Sequence, residues 1–518
     1  MKKKNIVIGA LICFIISMVT IQYINYRKNI EVTSAIPSEK WSKEKSISKG
    51  DVKKNPGIIT FEDEIYVVHT TENGIKLVKT NMLGDVIDTK NYEFGNFVAD
   101  VTFTTDKENL YISWISINNA KRSFNIGFVD KELMINDIKV IEGITESIKV
   151  SDEELLVSSG ENIKIVDNNL NTLFETEKGI FESVSAAKDK ENTYIVYYSD
   201  SDSSFKTIIL KDNKKIMEKE IVNVYRGFGL IFKNPVININ DEELVMTYEE
   251  ITKGEYRSTK GISYSLNNSK SQIGIVQIQG QPVRGIVRGD SAGTFFGYIE
   301  RYVDKRFLEQ DIVEFRIKDG EIVDYNYVSN SREIGFYSAN YKEYVVFCEY
   351  IEKNSYEIKL SSSEEVFKES INFISKEEKN EAWSILLEGI VFSFAYIFMM
   401  GIIWILFALV IIGVISFISY NLSEKMRKIT YIGALVIVGL FQLYMMKNMM
   451  YGKYAGLMPD YLSISVGLVI TLIIYFISGI FSYLIFKCDL ESIPLIPFGI
   501  VLVMETFLVL SVFVPYII

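Results

Sequence analysis

The sequence predicts an all-β extracytoplasmic domain joined to an α-helical transmembrane bundle. Two observations predict it. Apolar residues are concentrated at the two ends of the chain: one run at the extreme N-terminus, none across residues 27–389, and a nearly continuous apolar stretch from 390 to 518. The polar middle has the texture of short alternating strands divided by turn residues, with little helical periodicity. A bilayer core needs about 20 apolar residues to be crossed by a helix. The β domain therefore reads as an insert between the first and second spans.

The first element is a run from Ile6 to about Ile24, preceded by Met-Lys-Lys-Lys. It is expected to be a retained anchor over residues 1–26 rather than a cleaved leader. No small-x-small pattern follows it closely, since Thr33 and Ala35 lie too far downstream. Before Cys13, bulky Ile12 occupies the position where a lipoprotein signal needs a small residue. Residues 27–55 are rich in Lys, Ser and Glu and read as a polar linker or irregular lead-in strand.

From 56 to 370 one phrase recurs: an acidic turn, then an apolar strand rich in Tyr and Val. It stands at Glu62–Val68, Asp106–Ile112, Asp152–Val157, Asp189–Val196 and Asp241–Met246, with weaker copies at Ser291–Phe296 and Asn340–Val346. The acidic turn is a solvated hairpin tip, and the Tyr/Val strand is packed between neighbouring units. A period of roughly 35–55 residues with several strands per unit resembles the β-propeller class. This resemblance implies seven blades, with six or eight as near alternatives. It is one of fold only, because no WD dipeptide, kelch diglycine or sialidase-type aspartate box is present. Stacked β-sandwiches are the runner-up, but the period is short for them.

Residues 371–389 form a juxtamembrane segment, and 390–518 a four-helix region with runs at about 390–420, 429–446, 461–486 and 493–514. The first is read as one long or tilted helix, for no polar turn interrupts Met399-Met400-Gly401. Lys2–Lys4 and the loop cations Lys425, Arg427 and Lys428 place the N-terminus in the cytoplasm, residues 27–389 outside, and the C-terminus outside a plasma membrane.

Within these runs Ser463, Gly467, Thr471, Tyr475 and Gly479 recur every fourth residue. Such a stripe lets helix backbones approach closely. It serves packing within the chain or, alternatively, a partner span. Pro494 and Pro497 open the last run and mark a tilted or kinked start. Glu505 lies near the middle of that run, where a carboxylate is costly and a functional candidate by default. It would carry a proton or bind a cation; the plainer reading is a protonated side chain bonded to a neighbouring helix, with Gln442 as partner. Glu388, near Trp383, reads as interfacial.

The net charge of -11 falls mainly on the soluble insert, which disfavours nucleic acid as a partner. Three cysteines, Cys13, Cys348 and Cys488, fall in separate regions, so neither a disulfide nor a Cys/His metal cluster is expected. Gly289-Asp290-Ser291-Ala292-Gly293 matches the nucleophile-elbow pattern and resembles the serine motif of trypsin-like proteases. Yet a strand, not a helix, follows it. The only histidine, His69, precedes the serine and lacks the flanking residues of the protease motif, so a glycine-rich hairpin and a structural His69 are expected. Arg288-Gly289-Asp290 is an adhesion tripeptide read as chance. Asp200-Ser201-Asp202-Ser203-Ser204 resembles the start of a calcium loop, but Phe205 and Lys211 stand where glycine and a carboxylate are needed. No phosphate or dinucleotide fingerprint appears, and no cofactor is implied.

These readings lead to a non-enzymatic, multi-pass plasma-membrane protein whose propeller binds or scaffolds a protein, peptide or glycan outside the cell, with a membrane-protein partner as a further possibility. The alternative is a transporter or transporter subunit, with the propeller as external receptor or lid and Glu505 in the pathway. An extracytoplasmic hydrolase using Ser291 ranks third.

Overall fold

The computed structural model describes residues 2–517 apart from 225–226, 228, 241–242, 303–307, 331–333, 353–354, 420–421, 459 and 489–494. Two compact units result. A β unit comprises Ile36–Arg301 and Glu309–Phe373, and a helical unit comprises Met1–Ala35, Tyr302–Leu308 and Ile374–Ile518.

The β unit is a seven-bladed propeller. Its seven four-stranded sheets are antiparallel meanders, here lettered A to D outward in each blade. The A strands are Gly57–Phe61, Phe97–Thr105, Glu146–Lys149, Glu182–Lys188, Leu230–Asn240, Arg284–Arg288 and Gly335–Tyr341. Each touches the next, and the last touches the first, so they form a closed inner circuit. A further two-stranded hairpin, Gln277–Ile278 with Gln281–Pro282, lies between blades 5 and 6.

The recurring phrase marks the same place in each blade whose turn is described: the A–B hairpin and the B strand after it. Those B strands are Glu64–Thr70, Leu110–Asn118, Glu154–Ser158, Asn192–Ser199, Glu243–Thr252, Thr294–Tyr302 and Tyr344–Glu352. Asp241 and Glu242, the fifth acidic turn, lie outside the described residues. In blade 1 both turn residues, Glu62 and Asp63, have positive φ (49° and 59°). That is the geometry that matches the twist of a two-residue hairpin. The B strands are buried on both faces because each blade is covered by its neighbours. One core joins blades 7, 1 and 2 through Val346, Val67 and Phe103. Others join blades 2 and 3 (Phe124, Leu155), 3 and 4 (Leu156, Ile195), 4 and 5 (Phe205, Tyr248), 5 and 6 (Val245, Phe315), and 6 and 7 (Phe296, Phe347).

The polar lead-in is part of this unit. Lys45–Gly50 pairs antiparallel with Ser355–Ser362 and becomes the D strand of blade 7. The ring is thus closed by the first strand of the domain beside the last. The domain start expected at residue 56 moves upstream accordingly. An outermost strand keeps one face in water, which is why Lys45-Ser46-Ile47-Ser48-Lys49 looks like linker. Ahead of it, Trp41 fills the core between blades 6 and 7, and its Nε1 donates to Glu314 at 3.0 Å. The other end folds back beside it: Lys43 N donates to Asn372 Oδ1 at 2.9 Å, and Lys43 Nζ to the Phe373 carbonyl at 3.0 Å.

In the helical unit, α1 spans Lys2–Thr33, longer than the expected anchor. The short α2, Glu365–Ile371, belongs to the propeller and buries Phe367. Helix α3 (Lys376–Tyr396) starts with a capping box, in which the Ser375 hydroxyl and Glu378 carboxylate satisfy each other's backbone N–H groups. The segment expected to be juxtamembrane is therefore mostly helix. A π-helical turn at Ile397–Gly401 joins α3 to α4 (Ile402–Ser419), so helix continues without a break through the 390–420 run. Packing explains the tight passage: a Cβ added at Gly401 would meet Thr506 Cγ2 at 2.7 Å. Then come α5 (Glu424–Met445), α6 (Ile464–Cys488) and α7 (Leu495–Phe513). Three described segments are long and apolar enough to cross a membrane: Lys376–Met399, Glu424–Tyr454 and Ile464–Lys487. Ile402–Ile418 and Leu502–Tyr516 are shorter apolar helices. Within the unit α1 packs on α3, where Tyr26 and Trp383 stack at 4.8 Å. Cys13 and Cys348 are free thiols.

Candidate functional site

The A–B and C–D turns of a meander lie at the same end of every blade. Among the described residues, three hollows open at that end. The axial one, about 440 Å3, is built from A–B hairpins of several blades: Lys149 and Asp152, Lys188 and Asp189, Arg288 and Asp290, Tyr341 and Lys342. A second, about 300 Å3, lies between blades 7 and 1 beside Glu62, Asp63 and Lys342. A third, about 630 Å3, lies between blades 2 and 3, walled by Tyr111, Lys139 and Asn169.

Polar contacts across the axis give the central hollow its shape. Arg288, at the end of a blade 6 A strand, donates from its guanidinium to the Ala186 carbonyl (3.1 Å) of blade 4 and the Lys149 carbonyl (3.1 Å) of blade 3. Asn238 of blade 5 donates to the Gly289, Ser291 and Thr294 carbonyls at 2.9, 3.0 and 2.8 Å. The Lys342 N–H of blade 7 donates to Asp290 at 2.6 Å, and the Tyr341 hydroxyl to Asp152 at 3.0 Å. Lys149 pairs with Asp152 at 2.8 Å, which holds that carboxyl below its usual range despite its burial. The result is a cross-linked rim of alternating charge, with the exposed Lys342 side chain beside it.

The motif around Ser291 is the A–B hairpin of blade 6, closed by Gly289 N to the Thr294 carbonyl at 2.8 Å. The sequel is the strand Thr294–Tyr302, as expected. Its Arg288 is spent on the axis rather than presented as part of an adhesion tripeptide. His69 is fully buried in blade 1, with Nδ1 3.0 Å from the Thr70 carbonyl and Nε2 3.1 Å from Ser48 Oγ. Both ring nitrogens are engaged away from Ser291. Asp200–Ser204 is a B–C hairpin in which Asp202 accepts from Ser199 at 2.7 Å and pairs with Lys206 at 2.5 Å. Among the described residues no group of three or more His, Cys, Asp or Glu side chains is arranged to hold a metal.

The residues singled out in the apolar region converge in part. Gln442 and Glu505 meet: the Gln442 amide donates to Glu505 Oε1 at 2.7 Å. In the stripe, Gly467 and Thr471 are buried, Tyr475 and Gly479 are half-buried and line a small hollow with Glu505, and Ser463 is exposed outside this set. The stripe is used within the unit: a Cβ at Gly467 would fall 1.7 Å from the Tyr451 hydroxyl, and one at Gly439 would fall 2.6 Å from the Tyr475 ring. Glu388 is exposed and accepts from Ser384. Pro494 and the side chains of Pro497 and Cys488 lie outside the described residues.

The axial roles of Arg288 and Asn238 were not legible in the sequence. Each works across blades, 50 or more residues away along the chain. The only local signal was the position of Arg288 just before the glycine-rich hairpin.

No family model matches the chain, and no curated protein matches it. Solved propellers do resemble it. The β-propeller domain of the Trilobed protease from Pyrococcus furiosus, described as having an open velcro topology, is 12% identical with a TM-score of 0.40, covering 62% of this chain and 94% of that one. The Dos1 propeller is 9% identical with a TM-score of 0.37, covering 63% and 96%. An oligogalacturonate lyase in complex with manganese is 8% identical with a TM-score of 0.38, covering 63% and 99%. The resemblance is one of fold; the blade count rests on this chain's own seven sheets.

Proposed function

We propose that this chain is a multi-pass membrane protein whose propeller is a non-enzymatic recognition module for a protein or peptide. The observation that carries the reading is the grouping of three hollows at the hairpin end of the ring, with the axial one rimmed by fixed charges of both signs. A peptide carries paired donors, acceptors and charges, which such a rim matches better than it matches a uniformly anionic ligand. In this reading the apolar helices sit in the plasma membrane, with residues 27–389 outside and the N-terminus in the cytoplasm, as the basic loops favour. The engagement of both His69 nitrogens in the fold supports a module without hydrolytic chemistry at Ser291.

The test places a photo-reactive amino acid at Lys342 and irradiates intact cells. The expected result is a discrete protein adduct that is lost when Asp152 and Asp290 are both changed to Lys. Adducts confined to glycans, or none at all in correctly folded protein, would reject a protein partner.

A further inference from the structure

Inside the helical unit, α5 and α7 meet through Gln442 and Glu505, each 1% exposed. Their 2.7 Å hydrogen bond uses only half of each group. Glu505 Oε2 and Gln442 Oε1 have no hydrogen-bond partner. Glu505 also lines a partly open hollow of about 10 Å3 with Leu435, Tyr475, Ser478, Gly479 and Ser482. That is about the space of one water.

The titratable groups around it are Tyr475 on α6 and Tyr431 on α5. Both hydroxyls are already bound, to the Leu435 carbonyl at 2.6 Å and to Ser482 at 2.5 Å. On α4, Trp404 Nε1 donates to Thr506 at 2.8 Å. Among the described residues no cation compensates the carboxyl.

A carboxylate only accepts hydrogen bonds. Ionised, Glu505 would leave two acceptors unpaired and a full charge in an apolar interior, an expensive state in a membrane. One proton on Oε2 turns that oxygen into a donor and gives it two possible acceptors, Gln442 Oε1 and a water in the hollow. We propose that Glu505 is a reversible proton-binding site within the membrane, positioned by Gln442, with the hollow holding the water that receives the proton on release. This is independent of what the propeller binds.

Dicyclohexylcarbodiimide tests it. This apolar reagent reacts with protonated carboxyls: the carboxyl proton moves to a carbodiimide nitrogen, the oxygen adds to the central carbon, and the adduct rearranges to a stable N-acylurea without another reactant. The full chain in detergent would be labelled over a pH series and mapped by mass spectrometry, with exposed Glu388 as internal reference. The expected result is an adduct at Glu505 that persists at neutral pH where Glu388 is at least about tenfold less labelled, is absent in Glu505→Gln, and is indifferent to sodium. Gln442→Leu should shift the pH profile of the Glu505 adduct, because it removes both the amide N–H that bonds the charged form and the Oε1 that accepts from the acid form; an unshifted profile would overturn the positioning role of Gln442. No adduct in protein that elutes as a folded species, a pH profile matching that of Glu388, or protection by sodium would each overturn the proposal, the last in favour of a metal-cation site.

Discussion

The Ser48 hydroxyl, on the outermost strand of blade 7, donates to His69 Nε2 of blade 1 at 3.1 Å. The Thr70 carbonyl can only accept, so Nδ1 carries the proton and the neutral imidazole is the form that fits both partners. Burial pushes His69 down to about 4 from an ordinary 6.5. Between those values the unfolded chain binds a proton that the native chain does not. Stability from this group is therefore full above 6.5 and falls as the pH drops towards 4, by about 3 kcal/mol. Denaturant unfolding of wild type and His69→Gln across that range should show the acid-induced loss in wild type and a flatter dependence in the variant.

Glu349, in the B strand of the closing blade, acts in the opposite sense. Burial pushes it up to about 7, Lys359 at 3.3 Å opposes the shift, and Glu44 adds to it. For Lys359 itself burial disfavours the charge, but Glu349 and Glu357 more than offset this and hold it above the usual lysine range. The two assignments conflict over Glu349, which supports the Lys359 charge only when ionised; its burial favours the proton, which leaves Glu357, at 2.9 Å, as the ionic partner of Lys359. The native chain then binds the extra proton between 4.5 and about 7, so stability from Glu349 is present at low pH and lost as the pH rises. Glu349→Gln should stabilise the propeller above pH 7 by about 1–3 kcal/mol and leave it unchanged below 4.5, read from urea midpoints.

Arg288 ties three blades at the axis. Arg288→Met leaves the carbonyls of Lys149 and Ala186 facing a side chain without donors, at a cost of about 2 kcal/mol. Arg288→Lys should recover only part of this, since one ammonium lacks the fork that reaches two blades. Tryptophan-fluorescence unfolding curves would rank the three proteins.

Gly467 has no room for a side chain. Gly467→Ala should lower the thermal stability of the detergent-solubilised protein by about 1–3 kcal/mol, because Tyr451, whose hydroxyl donates to the Leu462 carbonyl at 3.0 Å, must move. Adding Tyr451→Leu should restore most of the loss.

The propeller was legible because its strongest local signal repeats. A hairpin tip must be solvated and the strand after it buried, so Glu62–Val68 and Asp106–Ile112 look alike wherever they occur. Blade count followed from the number of such phrases. The closing strand was not legible, because Lys45–Gly50 owes its pairing to a partner over 300 residues away, and one face of it is in water. The axial contacts of Arg288 and Asn238 were hidden for the same reason. In the helical unit Glu505 stood out by its cost in an apolar run, and Gln442 could be suggested as its partner; the hollow beside them depends on how α5, α6 and α7 pack, which no periodicity reports.

The shared seventh blade also sets an order of events during synthesis. Lys45–Gly50 leaves the ribosome early and stays without its partner until Ser355–Ser362 has been made, at least 15 seconds or so later at about 20 residues per second. Throughout that interval the ring is an open stack with an unprotected edge. A nascent chain halted anywhere before residue 362 cannot close, which makes the last strand of the domain the point at which a chaperone could let go.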